Sequence, residues 1–210
     1  AGKGRSYLVR TQLIGVFNVY NAVAALAAVS AMGMELRAAV AALAKAPQVP
    51  GRLERVPAKR SFQVYVDYAH TDDALRNVLR TLNELRPARI LTVFGCGGDR
   101  DAAKRPLMAA AAEEFSDWCL VTSDNPRSED PQRILAEIEK GFRHDRHEQI
   151  VDRAAAIHRA VERAGPGDIV LIAGKGHETT QESATGKTPF DDVVVARRAI
   201  EAKHVEGNEE

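Results

Sequence analysis

The rhythm of apolar positions changes near residue 50. From Ala22 to Met32 almost every position is alanine, valine or leucine, with Asn18 and Asn21 ahead of the run and Gly33 breaking it. Glu35 to Ala46 is again alanine-rich and ends at Pro47 and Pro50. Alanine favours helix and proline stops it, so the pattern predicts two helices forming a buried hairpin. Ahead of them, Ser6 to Leu13 alternates enough to predict a strand. Pro47-Gln48-Val49-Pro50-Gly51 is the strongest punctuation in the chain and marks the expected domain boundary. The expected domains are thus residues 1–50 and 51–205, with a polar tail at 206–210.

Beyond that boundary short apolar runs alternate with amphipathic stretches. Strands are predicted at Phe62–Val66, Arg89–Phe94, Trp118–Thr122, Gln149–Val151 and Asp168–Ala173. Helices are predicted at Asp73–Leu85, Lys104–Phe115, Pro131–Phe142, Ala154–Ala164 and Asp192–Ala202. Strands spaced by helices in this way imply βαβ units and a parallel sheet, so the fold class is α/β.

Charge and composition narrow the function. Lysine plus arginine number 29 and aspartate plus glutamate 29, a net charge of zero that argues against a nucleic-acid partner or an anionic membrane surface. Hydrophobic residues at 45% and charged residues at 28% are ordinary for a globular chain. No apolar run approaches the roughly 18 residues of a membrane span. The chain starts Ala1-Gly2-Lys3-Gly4, with neither an initiator methionine nor a signal pattern, which reads as a piece of something longer. The expected setting is cytoplasmic. Cys96 and Cys119, far apart in the chain, read as packing thiols rather than a redox pair.

Ligands of open parallel sheets bind at the carboxyl ends of the strands, and the unusual clusters all fall there. Asp67-Tyr68-Ala69-His70, Gly95-Cys96-Gly97-Gly98-Asp99-Arg100-Asp101, Ser123-Asp124-Asn125-Pro126-Arg127 and Gly174-Lys175-Gly176-His177-Glu178 each follow a predicted strand. The glycine loop admits a ligand close to backbone N–H groups, or is simply a tight strand-to-helix turn. It fits neither the dinucleotide pattern, since Arg100 stands in place of the third glycine, nor the phosphate loop. Arg127 suits a bidentate grip on a carboxylate, as in an amino-acid ligand, though the same loop also reads as a helix cap with a solvated arginine. Glu178 suits an ammonium group. Lys175 and His177 read as solvated surface residues, and no metal-ligand spacing appears. His70 alone is more often structural than catalytic.

Taken together and in this order, these clusters resemble the Mur ligase family, in particular the type that adds the third residue of the peptidoglycan stem peptide. The segments carrying the resemblance are Gly15 to Ala22, Gly51-Arg52-Leu53-Glu54, Val66 to Thr71, Phe94 to Arg105, Asp124 to Arg127 and Gly174 to Glu178. The resemblance runs from about Leu13 to Ala199. It implies the helical end of a central ATPase domain, residues 1–50, followed by a Rossmann-like C-terminal domain that receives the incoming amino acid. The implied reaction is ATP-dependent amide formation on a UDP-N-acetylmuramoyl dipeptide, through an acyl phosphate. ATP and Mg2+ are the implied cofactors. The catalytic residues, the phosphate loop and most magnesium ligands are expected upstream, so this chain should not ligate alone.

By the same resemblance, Asn21 and Asn18 lie near adenine, Arg52 near the ribose, and Asp67 and His70 on the nucleotide side of the cleft. Asp72 replaces the family's usual proline, and either suits a helix's first turn. The intact Asp-Asn-Pro-Arg loop favours meso-diaminopimelate over lysine, because the former carries a second, distal carboxylate. Arg127 and Asn125 would hold that distal end, within the Asp124 loop, Arg100 a carboxylate, and Gly174 and Glu178 the distal polar groups. The alternatives are a lysine-adding or other Mur-type ligase, and a stand-alone module that binds nucleotide or amino acid without catalysis.

Overall fold

The structure, a computed structural model, describes residues 6–206. The chain divides into two compact units, Ala1–Val49 and Pro50–Glu210. In the first, α1 (Val16–Ala31) and α2 (Leu36–Leu43) form a helical hairpin turning at Gly33. The helix starts at Val16, so Asn18 and Asn21 lie inside it rather than ahead of it. The hairpin is also not buried, because of all the residues of α1 and α2 only Ala22 is enclosed. The strand expected at Ser6–Leu13 is absent. Leu8 is 77% exposed there, and a lone extended segment has no ladder to satisfy its backbone.

The second unit contains β1 (Glu54–Val56), β2 (Gln63–Asp67), α3 (Asp72–Asn83), β3 (Ile90–Phe94), α4 (Lys104–Phe115) and β4 (Trp118–Val121). It continues with α5 (Pro131–Glu139), β5 (His147–Gln149), α6 (Arg153–Arg163), β6 (Ile169–Ala173), the hairpin β7 (Thr180–Ser183) and β8 (Gly186–Pro189), and α7 (Asp192–Glu206). The main sheet has the order β1-β2-β6-β3-β4-β5. Only β1, at the edge, runs antiparallel to its neighbour. Sequence reading missed β1 and the β7–β8 hairpin, and shifted the short fifth strand from His147–Gln149 to Gln149–Val151. The last helix reaches Glu206, beyond the expected end at Ala202. The rest of the expected 206–210 tail lies outside the described residues.

Helix starts follow local chemistry. Thr71, Asp130 and Asp152 accept hydrogen bonds from Ala74 N, Gln132 N and Ala155 N, capping α3, α5 and α6. The central strands β3 and β6 are buried at every position, as strands covered on both faces must be. One face packs Val64, Val66, Leu91, Val93, Val170 and Ile172 against α6 and α7. On the other face α4 packs on β4 with α3 and α5 beside it, and Thr92 of β3 is bonded to Ser116 at the end of α4 (2.7 Å). Because β2, β6, β3 and β4 are parallel, their carboxyl ends open on one edge. All four polar clusters meet there.

Candidate functional site

A cavity of about 390 Å³ opens on that edge. Arg100, Asp124, Asn125, Arg127, Gly174 and Glu178 all line it, together with His70. Cations come from the glycine loop and α4 (Arg100, Lys104, Arg105) and from Arg127. Asp124 and Glu178 bring acid to the same wall as Asn125 and Gly174. Such a lining suits a small molecule carrying both charges.

The glycine loop makes a tight turn against the Asp124–Arg127 loop. Gly98 N donates to Asn125 O (2.9 Å) and Asp99 N to Glu129 Oε1 (2.6 Å), so these N–H groups are spent. A Cβ at Gly98 would strike the Pro126 carbonyl, so glycine is needed where the two loops touch. Asp99 also accepts from Ser128 Oγ (2.6 Å) and Ser128 N (3.2 Å). Beneath this junction Arg105, 2% exposed, bonds Glu129 (2.8 Å) and Glu137 (2.6 Å). That pairing holds the Glu129 carboxyl down at about 2.

Arg127 is not a solvated cap residue. Its φ is 52°, a left-handed conformation that costs a non-glycine residue about 1–3 kcal/mol and persists only when neighbours enforce it. The neighbours are on β7. Arg127 N donates to Glu182 O (3.1 Å), and Arg127 bridges to Ser183. The guanidinium Nη1 donates to Gly98 O (2.7 Å), and Nε faces Glu182 Oε2 at 3.5 Å. The hairpin that sequence reading missed therefore props the loop on which the site depends. Gln181 Nε2 adds a bond to Asp124 O (2.7 Å) and Glu182 N one to Asn125 Oδ1 (2.9 Å).

Lys175 overturns its sequence reading: it is fully buried, not solvated. Its Nζ donates to Asn125 Oδ1 (2.9 Å) and Glu178 Oε2 (3.0 Å). Burial pushes the Glu178 carboxyl up, but hydrogen bonds from Asn125 and Lys175 outweigh it and the net shift is downward. Asp124 is raised by burial, against the nearby charges of Arg153 and Lys175. Arg153, unnoticed in the sequence, is wholly buried with Asp192 (2.8 Å) and reaches the carbonyls of Ser123 (3.4 Å) and Ala173 (3.0 Å). Burial pushes the Cys96 and Cys119 thiols up to about 12, as for packing thiols.

The residues expected at the nucleotide are divided between the two units. Arg52 lies over the Tyr68 ring at 5.3 Å, with the His70 ring at 4.6 Å and the exposed His177 ring at 5.2 Å. Asp67 does not face the cavity: its two oxygens accept from Leu53 N (2.7 Å) and Ala69 N (2.8 Å), and burial raises its carboxyl. It thereby fixes the turn that carries Arg52. Gly51, at φ 65°, makes that turn possible, since a Cβ there would collide with the backbone of Gly176 and His177. Asn18 and Asn21 lie on α1 of the first unit, joined by a bond from Asn21 Nδ2 to Asn18 Oδ1 (3.2 Å). Among the described residues no group of three or more His, Cys, Asp or Glu side chains is placed to hold a metal ion.

Comparison with known proteins bears on this geometry. The family model described as "Mur ligase, glutamate ligase domain" matches residues 51–176. The UDP-N-acetylmuramoyl-L-alanyl-D-glutamate–2,6-diaminopimelate ligase of Geobacillus kaustophilus is 49% identical over 200 residues, covering 94% of this chain and 41% of the relative. Its Streptomyces coelicolor counterpart is 49% identical over 204 residues, covering 94% and 40%. The chain therefore spans about two fifths of these relatives' length. A solved structure of a ligase of that name superposes with a TM-score of 0.74 at 46% identity, covering 94% of this chain and 41% of the other. A folylpolyglutamate synthase from Thermotoga maritima, at 20% identity and a TM-score of 0.64 over 83% of this chain and 39% of its own, shares the fold.

Proposed function

The chain belongs to the Mur ligase family, and from that premise we propose that the protein of which it forms part joins meso-diaminopimelate to UDP-N-acetylmuramoyl-L-alanyl-D-glutamate at the expense of ATP. Residues 51–205 are the proposed amino-acid-binding domain and residues 1–50 the end of the ATP-binding one. The observation that carries the reading is the Asp124–Arg127 loop, whose guanidinium is held at the rim of a cavity that also contains Glu178.

The chemistry assigns this chain a holding role. The dipeptide carboxylate attacks the γ-phosphate, releasing ADP and leaving an acyl phosphate. The amine of the incoming amino acid then displaces phosphate and forms the amide. Bound magnesium would neutralise phosphate charge, and the described residues offer no set of ligands for it. What they offer is orientation. Arg127 and Asn125 grip the distal carboxylate of the diamino acid, while Glu178 and the Gly174 carbonyl take the distal ammonium. The Gly174 N–H is already spent on Asp67 O (3.1 Å). Fixing one end by charge leaves the other amine free to meet the acyl phosphate, which is where positioning accelerates a bimolecular step. Arg100 takes a carboxylate, and Arg52 with His70 faces the nucleotide beside Tyr68. Lysine, lacking the distal carboxylate, would leave Arg127 no anion beyond its long contact with Glu182 (3.5 Å), and a polar site built for a second carboxylate discriminates against such an analogue.

Arg127→Ala in the full-length enzyme tests the proposal. A charge-assisted hydrogen bond is worth about 1.5–3 kcal/mol, so the KM for diaminopimelate should rise roughly tenfold to a hundredfold. The KM for ATP should stay within about twofold. An unchanged KM for diaminopimelate in steady-state kinetics, or a parent enzyme that prefers lysine in direct competition, overturns the reading.

A further inference from the structure

Lys175 stands at the carboxyl end of β6, fully enclosed, where an ammonium is costly unless a partner neutralises it. Glu178 is that partner, at 3.0 Å from Nζ. The same ammonium donates to Asn125 Oδ1 at 2.9 Å, and Glu182 N donates to that oxygen at 2.9 Å as well. An amide oxygen has two lone pairs, so both are now taken. The amide is left one orientation, with Nδ2 toward Glu178 Oε2 at 2.8 Å. Glu178 Oε2 in turn accepts from both Lys175 and Asn125. Its Oε1 makes no hydrogen bond among the described residues.

We infer that Lys175 is a positioning residue for the amino-acid site, fixing the Asn125 amide and the Glu178 carboxylate so that a donor and an acceptor reach the cavity side by side. The inference rests on the substrate reading above. Asn125 retains one uncommitted amide hydrogen for a carboxylate, and Glu178 Oε1 remains for an ammonium. An α-amino-acid end carries those two groups on one carbon. A flipped Asn125 amide would set an oxygen against the ligand carboxylate, and Lys175 is one of the two donors that prevent the flip. Lys175 is not among the residues that line the cavity, so it acts through its two neighbours.

The test is a set of variants in the full-length enzyme: Lys175→Met, Glu178→Gln and the two combined. Lys175→Met should raise the KM for the amino acid about tenfold or more while the KM for ATP moves less than about twofold, a split that general destabilisation would not produce. The double variant should fall clearly short of the product of the two single losses, because the share of the Lys175 effect carried by Glu178 is already gone in Glu178→Gln while the share carried by Asn125 remains to be lost. A parental KM in Lys175→Met overturns the inference, as does a double variant whose two losses multiply. If Lys175→Met does not fold, the comparison in the Glu178→Gln background decides, since that background removes the acid left buried without its cation. Choice of substrate is read in the unsubstituted enzyme first. If that enzyme uses a different amino acid, the substrate reading fails, and Lys175 is scored with the amino acid the parent does use.

Discussion

The two units use similar apolar residues to different ends. In α1 only Ala22 is buried, while Val19, Tyr20 and Val23 stay 57%, 72% and 61% exposed. In β6, five apolar residues in a row are all buried between two helical layers. Apolar content makes a helix or a strand plausible, but a core requires a second layer to close over it. The second unit contains its layers on both sides of the sheet. The helical hairpin, taken by itself, does not.

Separating the units gives the largest expected effect. A chain of residues 50–210 should unfold in urea in one cooperative step followed by circular dichroism. Residues 1–49 alone should show weak helicity and no cooperative step, because α2, at 8 residues, is below the roughly 12–15 at which an isolated helix becomes stable, and α1, at 16, is barely above it with little to pack on. A sharp transition in the short fragment would erase the contrast. Single substitutions sharpen it next. Leu171→Ala, in fully buried β6, should cost about 2–5 kcal/mol in the 210-residue chain. Val23→Ala on α1 should change stability by less than about 0.5 kcal/mol in the same titration.

Acid gives the smallest and most selective effect. Arg105 holds Glu129 at about 2, below the ordinary 4.5. A carboxyl depressed in the folded state contributes stability that is complete above its unfolded pKa and is lost as pH falls through the folded one. The second unit should therefore weaken between about pH 4.5 and 2, and Glu129→Gln should flatten that part of the profile. Glu35 is the sole acid before Pro50, so the helical unit should hardly respond over the same range. Urea midpoints of residues 50–210 and the helical circular dichroism of residues 1–49, both followed across this range, would show it, and a parallel decline in both units would refute it.

The strand ends were legible because a buried parallel strand is a near-continuous apolar run, as in Ile169 to Ala173 and, with Thr92 its one polar position, Ile90 to Phe94. That legibility extended to the cavity, since topology alone brings the ends of β2, β3, β4 and β6 to one edge. The β7–β8 hairpin was not legible: Thr180 to Pro189 is mostly polar and carries no apolar alternation, and β7 is held instead by contacts with the Asp124–Arg127 loop. Lys175 and Arg153 were misread or overlooked for a related reason. Burial of a cation is decided by the acid that tertiary structure brings to it, Glu178 in one case and Asp192 in the other, and neither pairing has a signature in local sequence. The usable hint for Lys175 lay in its place directly after an all-buried strand. Ser6 to Leu13 failed in the opposite direction, with strand-like alternation and no neighbouring strand to pair with.

Arg153 has a mechanical corollary. One planar group grips the carbonyl just before Asp124, the carbonyl just before Gly174 and the carboxylate at the root of α7. The span between those two loops is thus gauged by a single rigid spacer, and neither loop can drift without the other. A molecule bridging them meets a gap already cut to length, so little of its affinity is consumed in shaping the protein around it.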